Sequence, residues 1–511
     1  MLRGGFILIK GTFMHRLRTI LILCLTCILI LACNLPFKVV WRGFKPYPTL
    51  DPSIFYHATA TMPIEEFITP TVTPTPLPVN PQQISYNAQS GDILAVVAAH
   101  FGVAAEQITS PQPLPPVGLI PAGQQLILPR TEANSTTGTL ILPDSAVVNS
   151  PCAQAFDTSG FIANTNGYLK YYQQLVYEEQ ATGAEVVARA ASNASVDPRL
   201  LLAFIEFRSG WVTANVGAPN LTYPLGLNRQ YYEGLFRELS LVTQWLNTGY
   251  YGWREGTLSA ITYADGRSSA LAPNLNAGSV GILYLFAQLY PLDHVDALLY
   301  GEGGFLSIYK DLFGDPLTCA AQVEPLFPPD LQLPELELPF AAGERWSFTA
   351  GPHPDWVPGT PMGALDFAPV TGEAPCSVSR AWARASAAGV VTRSSNSVVL
   401  VALEDGNGAL TGWELMYMHL ADKDRVLVGT RLKAGDPLGH PSCEGGPATG
   451  THVHITRKYR GEWIGISEVF PLALSGWQAL PGEAVYKGML VKGESVVTAH
   501  ANGSSPSIIV R

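Results

Sequence analysis

GDPLGHPSCEGGPATGTHVHITR, residues 435–457, is the stretch whose reading decides the C-terminal fold. It closes on His452-Val453-His454, inside a Thr/Val/Ile-rich run that reads as a strand. Side chains on a strand alternate faces, so His452 and His454 point the same way, two rises apart. One imidazole can then bind a cation while its neighbour touches whatever the cation holds. The glycines and prolines just upstream predict a loop that leaves the pair accessible. Taken alone, a His-x-His is equally a strand with two surface histidines. The distribution of histidine argues for a metal instead. Of ten in the chain, five (His353, His419, His440, His452 and His454) fall between positions 353 and 454.

Outward from that stretch, residues 387–403, AAGVVTRSSNSVVLVAL, read as two strands about a Ser-Asn turn. Trp413–Leu420 reads as another strand, with His419 near its end. The expectation is an antiparallel β domain over residues 346–511, with a groove lined by histidines.

Six short elements then occur in a telling order. They are Gly363-Ala364-Leu365-Asp366-Phe367-Ala368-Pro369, Ala388-Gly389-Val390-Val391, Tyr417-Met418-His419-Leu420, Gly435-Asp436, Gly439-His440 and Gly450-Thr451-His452-Val453-His454. In that order the domain resembles the lysostaphin-type zinc metallopeptidases, peptidoglycan endopeptidases with a duplicated-hybrid-motif-like fold. The resemblance implies zinc ligands at His353, Asp366 and His454, and catalytic histidines at His419 and His452. His440 falls outside the matched set.

One departure matters. In the family the first His ligand stands four residues before the Asp, where this chain has Met362. A thioether is a poor zinc ligand. WVPGTPMG, residues 356–363, therefore reads as an insertion, with His353 curling back to the site; Asp355 is the competing ligand. Two imidazoles and one carboxylate leave a fourth position for water, whose pKa the cation lowers. His452 or His419 would take that water's proton and stabilise the oxyanion.

The rest of the chain bounds this reading. At 511 residues it is too long for one core. A net charge of -10 without any long basic run argues against a nucleic-acid partner. Arg16 and Arg18 precede an uncharged run, Thr19 to Leu31, that is short for a membrane span. It ends Ile30-Leu31-Ala32-Cys33, which resembles the lipobox of bacterial lipoproteins. Residues 1–33 are thus expected to be a signal peptide, with lipidation at Cys33 and an exported, membrane-anchored product facing the wall; an uncleaved anchor helix is the alternative. Beyond Cys24, Cys27 and Cys33, four cysteines remain for an oxidising compartment. Pairing Cys152 with Cys319 and Cys376 with Cys443 keeps each bridge with one domain.

Residues 34–83 are a Pro/Thr-rich linker, extended and semi-rigid. Residues 84–129 resemble a LysM module, through Ser85-Tyr86, Ser90-Gly91-Asp92-Ile93-Leu94, AVVAAHFGV (95–103) and Ile120 to Pro129. Such βααβ modules bind N-acetylglucosamine-containing glycans. Asp92 is placed to cap the first helix and Gly123 to turn into the last strand. SPQPLPPVG, residues 110–118, has too many prolines for a regular second helix. After a linker at 130–150, residues 151–320 read as an all-α domain. Its DPRLLLAFIEFRSGW, residues 197–211, is similar to the opening of lysozyme-like lytic transglycosylases. In that family a Glu directly precedes the Ser-Gly; here Arg208 does, and it cannot act as the acid. Glu206 lies about 200° around the helix from that position. An accessory role is the expectation. Residues 321–345, with Pro-Glu-Leu-Pro repeats, read as a further linker.

The multidomain α+β chain so assembled points to a zinc endopeptidase acting on peptidoglycan. The alternatives are an inactive wall-binding lipoprotein or amidase activator, and a glycan lyase centred on the helical domain.

Overall fold

A computed structural model describes residues 82–511, apart from 132–135, 137, 178 and 218. The signal segment, Cys33 and nearly all of the first linker lie outside the described residues. No helix among the described residues is long and apolar enough to cross a membrane.

β1 (Gln83–Asn87) pairs antiparallel with β2 (Gln125–Pro129), and α1 (Leu94–Phe101) packs against the pair. Tyr86, Val97, Phe101, Leu126 and Leu128 form this small core. In place of a second α-helix stands one 3-10 turn, Ala105–Gln107, followed by the prolines. Asp92 does not cap α1. Ile93 holds that position, and the buried Asp92 carboxylate instead accepts from the Tyr86 hydroxyl and the Gln89 amide, each at 2.7 Å.

The central region is helical but not all-α. A hairpin of β3 (Gln173–Val176) and β4 (Glu179–Thr182) occupies a run expected to be helix. Within that run the α-helix is α2 (Gly183–Ala194), where Thr182 as N-cap forms a capping box with Glu185. A second hairpin joins β5 (Ala260–Thr262) to β6 (Ser268–Ala270). Asp197 caps α3 (Pro198–Ser209) with Pro198 in the first turn. α4 (Leu235–Arg254) crosses α5 (Ala277–Ala287) where Gly249 admits the neighbouring backbone; a Cβ there would sit 2.5 Å from that of Tyr284.

The stretch expected to be a free linker at 321–345 is packed. Leu336, Leu338 and Phe340 alternate into the interior, as extended chain dictates, and the prolines between them hid the pattern. Ile141, Leu142, Val147 and Val148 of the earlier linker are buried as well.

The C-terminal part has a separate four-stranded antiparallel sheet within residues 473–498 and centres on a nine-stranded antiparallel sheet. In chain order its strands are β7 (Arg345–Pro354), β8 (Met362–Pro369), β9 (Gly389–Ser395), β10 (Val398–Glu404), β11 (Leu410–Met418), β12 (Arg431–Leu432), β13 (Val453–Tyr459), β14 (Glu462–Trp463) and β15 (Ile508–Val510). The order across the sheet is β12-β9-β10-β11-β13-β8-β7-β15, with β14 folding back on β13. β9 and β10 join through Asn396 and Ser397, both at positive φ. The sheet abuts the helical part: Trp463 Nε1 donates to Ala194 O (3.2 Å), Ser195 Oγ to Gly461 O (2.8 Å), and Arg254 pairs with Glu462 (2.9 Å). Disulfides join Cys152 to Cys319 and Cys376 to Cys443.

Candidate metal centre

Strands β7, β8 and β13 are neighbours, and each contributes one donor. Asp366 on β8 is the register partner of His454 on β13. On the other side, β7 carries an extra residue between Ala350 (opposite Asp366) and His353 (opposite Ala364). A bulge of this kind re-aims side chains, and here it brings His353 to Asp366. His353 Nε2 and His454 Nδ1 each lie 3.3 Å from Asp366 Oδ1, and 3.0 Å from one another. Among the described residues these three form the one group of His, Cys, Asp or Glu side chains close enough to share an ion.

The donor set fits a cation. Asp366 Oδ1 is buried without a hydrogen-bond partner, an arrangement costly unless something positive faces it. Each of the two histidines of this group has its other nitrogen on a backbone carbonyl: His353 Nδ1 on Gly351 O (2.9 Å), and His454 Nε2 on Asp355 O (3.0 Å). Such partners fix the tautomer and aim the free nitrogen inward. Burial opposes charge on Asp366, but His353 and His452 outweigh it and hold the carboxyl well below the usual carboxylate range.

His353 does not curl back: it stands on β7, paired with the strand of Asp366. Residues 355–361 are the connection of a hairpin, and the histidine reaches Asp366 across the strand pair. Met362 pairs with Pro354 and is 40% exposed. The Asp355 carboxyl is fully buried against Thr456 Oγ1, outside the donor cluster.

His452 and His419 stand beside this group. His452 Nε2 is 3.6 Å from Asp366 Oδ2, and the two imidazoles lie 4.4 Å apart, centroid to centroid. His419 follows β11 at a φ of 62°, turning its ring toward the site. His452 Nδ1 rests on Gly450 O and His419 Nδ1 on Glu444 O, both at 2.8 Å, so each Nε2 is left for other work. Burial, and then charge on His452 and His454, push the His419 imidazole down to about 3; it is neutral at ordinary pH. His440 is elsewhere, its Nδ1 on Ala381 O and its ring against Trp382.

The five residues floor a cleft of about 1170 Å³. One wall is residues 370–375; the other is 446–451. The Cys376–Cys443 bridge and a Thr451 hydroxyl bond to Ser377 O (2.8 Å) tie these walls together. No lysine or arginine lines the cleft. Two aromatic residues that no pattern of His or acidic groups marks also line the cleft. Tyr486 has its ring 4.8 Å from that of His353, and Trp356 comes from the hairpin connection. Tyr486, at a φ of 68°, caps the turn PGEAVYKG, residues 481–488, whose Pro and Gly were its only cue.

In the helical part, Arg208 donates to Leu225 O (2.8 Å) and to the Tyr290 hydroxyl. Glu206 accepts from the Val212 (2.8 Å) and Thr213 (3.0 Å) amides, so its carboxylate is occupied in holding the loop after α3.

Residues 140–326 match the family described as LasA, N-terminal domain. The chain is 28% identical over 295 residues to "Protease LasA" of Pseudomonas aeruginosa, covering 53% of this chain and 65% of that protein. It is 27% identical over 145 residues to "Beta-lytic metalloendopeptidase" of Lysobacter enzymogenes, covering 28% of this chain and 78% of that protein. Among solved structures, the M23 metalloprotease pseudoalterin, from the deep sea, aligns at 23% identity and a TM-score of 0.28. That alignment covers 33% of this chain and 96% of the other. The chain thus spans 65%, less than two thirds, of the LasA protease it matches, and its sequence is similar to that protease and to a beta-lytic metalloendopeptidase.

Proposed function

We propose that this protein is a zinc-dependent endopeptidase that hydrolyses peptide stems or cross-bridges of bacterial peptidoglycan. One observation carries the reading: His353, Asp366 and His454 bring three buried donors to one point on the floor of a cleft, with His419 and His452 alongside. Zinc held there would supply a Lewis acid and an acidified water. Asp366 would offset half of its charge, and the carbonyls of Gly351 and Asp355 keep the inner nitrogens of His353 and His454 turned toward that point. His419 and His452, each with Nδ1 anchored, present Nε2 as the place where a proton is taken up and returned. Among its lining residues the cleft has no lysine or arginine to pair with a carboxylate of the peptide. The names of the relatives, a protease and a metalloendopeptidase, support the reaction class.

The remaining parts fit this activity as delivery. A LysM-like module at 84–129 would hold glycan and raise the local concentration of wall peptide. A lipid on Cys33 would keep the exported chain at the membrane. The helical part, related by resemblance to lysozyme-like domains, would be an accessory without lytic activity, since Arg208 and Glu206 are both engaged in structure. The alternative, an inactive wall-binding lipoprotein or amidase activator, is disfavoured by a donor set with no member missing.

Zymography of the purified chain on peptidoglycan, with and without chelator, tests the proposal. Clearing that disappears with chelator, returns with zinc and is absent in Asp366→Ala is the expected result. Clearing that persists in Asp366→Ala places the chemistry elsewhere.

A further inference from the structure

We propose that Asp355 is the positioning residue of this site: its backbone carbonyl selects the His454 nitrogen that faces the donor cluster, and its buried carboxyl locks the loop bearing that carbonyl. The inference rests on the metal-site reading above. Three observations carry it. First, Asp355 O accepts from His454 Nε2 at 3.0 Å, which places the proton on Nε2 and leaves Nδ1 toward Asp366. Second, the Asp355 side chain is 0% exposed and reaches back to Thr456, two residues beyond His454 on the same face of β13. Asp355 is therefore clamped twice to β13, through its carbonyl to His454 and through its carboxyl to Thr456, about one strand repeat apart. The second carboxylate oxygen, Oδ2, is buried with no hydrogen-bond partner. A buried, half-satisfied carboxyl is costly and brings no gain to folding that an apolar side chain would not. Third, room for it is made by Gly363: a Cβ there would collide with Asp355 Oδ1 and lie 2.6 Å from Ile464 O.

The loop itself is held from both ends. Asp355 N donates to Pro361 O at 3.0 Å, and Thr360 Oγ1 accepts from Trp356 N at 3.1 Å. Its tip, Gly359, sits against α4, where a Cβ would be 3.0 Å from Thr248 N. The carbonyl that orients His454 thus stands on a rigid turn, and the carboxyl is the pin that sets its height above β13.

Three variants of the full chain test this: Asp355→Ala, Asp355→Asn and Thr456→Val. Two readouts are zinc affinity by competition with a chelating dye, and the His454 tautomer by ¹⁵N NMR of the metal-free protein. Asp355→Ala should weaken zinc about 10–100-fold and lose the Nε2–H tautomer. Asp355→Asn, which keeps shape and an acceptor for Thr456, should restore both to within about threefold. Thr456→Val, which keeps the strand and removes one hydroxyl, should fall between and remain testable if Asp355→Ala does not fold. Wild-type affinity and tautomer in both Asp355→Ala and Thr456→Val would overturn the proposal, as would Asp355→Asn behaving like Asp355→Ala. A wild-type chain that binds no zinc would sink the metal-site reading instead, while the tautomer measurement would still decide the role of Asp355.

Discussion

Asp366 and His454 are register partners on adjacent antiparallel strands, with Oδ1 and Nδ1 3.3 Å apart. The pairing fixes their separation through the backbone ladder, so the site is built into the sheet and not onto a loop. Removing the carboxylate should then cost metal without costing fold. Asp366→Ala is expected to lose zinc affinity by more than the 10–100-fold typical of an outer-shell change. Its thermal midpoint without metal should stay within a few degrees of wild type, measured by circular dichroism.

Gly363 is tightly enclosed by Asp355 and Ile464 O. Gly363→Ala should destabilise the protein by about 1–3 kcal/mol through overpacking, read as a fall in denaturant midpoint at unchanged slope.

Arg254 joins three segments far apart in sequence. Its guanidinium bonds Ser90 O in the first module, Asp144 at 2.8 Å before the helices, and Glu462 at 2.9 Å on the sheet. Arg254→Ala leaves two buried carboxylates without their cation, which costs about 3–5 kcal/mol. Thermal unfolding should show that loss; a change under 1 kcal/mol would mean the pairs balance only their own desolvation.

His100 on α1 stacks on Trp253 with ring centroids 3.5 Å apart. Burial pushes its imidazole down to about 4, below the ordinary value near 6.5. The unfolded chain therefore binds the proton first, and stability is complete above about pH 6.5 and lost as pH falls toward 4. The loss amounts to about 3 kcal/mol at most. His100→Phe should keep the stacking and flatten this part of the stability–pH curve, measured by urea unfolding between those limits.

Much of the site was legible because its chemistry sits in short, local patterns. His452-Val453-His454 announced both a strand and a shared face, and Asp366 was marked, far upstream, by the family resemblance of Gly363–Pro369. His353 was identifiable by residue type, but its route to the site was not. A hairpin with a bulge and an insertion with a curl give the same thirteen-residue spacing from His353 to Asp366, and only strand pairing separates them. Asp355 and Glu444 act through backbone carbonyls, which every residue has, so no sequence pattern marks them. The helical reading of residues 168–182 failed for a related reason: the paired strands QQLV and EQAT are only four residues each and mostly polar, too short to show a period of two. The prolines of 334–339 hid a period of two in the same way.

The most direct test of the account is a crystal structure of the protein grown with zinc, with anomalous difference maps collected on either side of the zinc edge. The account predicts one strong peak within about 2.0–2.2 Å of His353 Nε2, a carboxylate oxygen of Asp366 and His454 Nδ1. A peak on Asp355 or Met362, or none among these residues at saturating zinc, would contradict it.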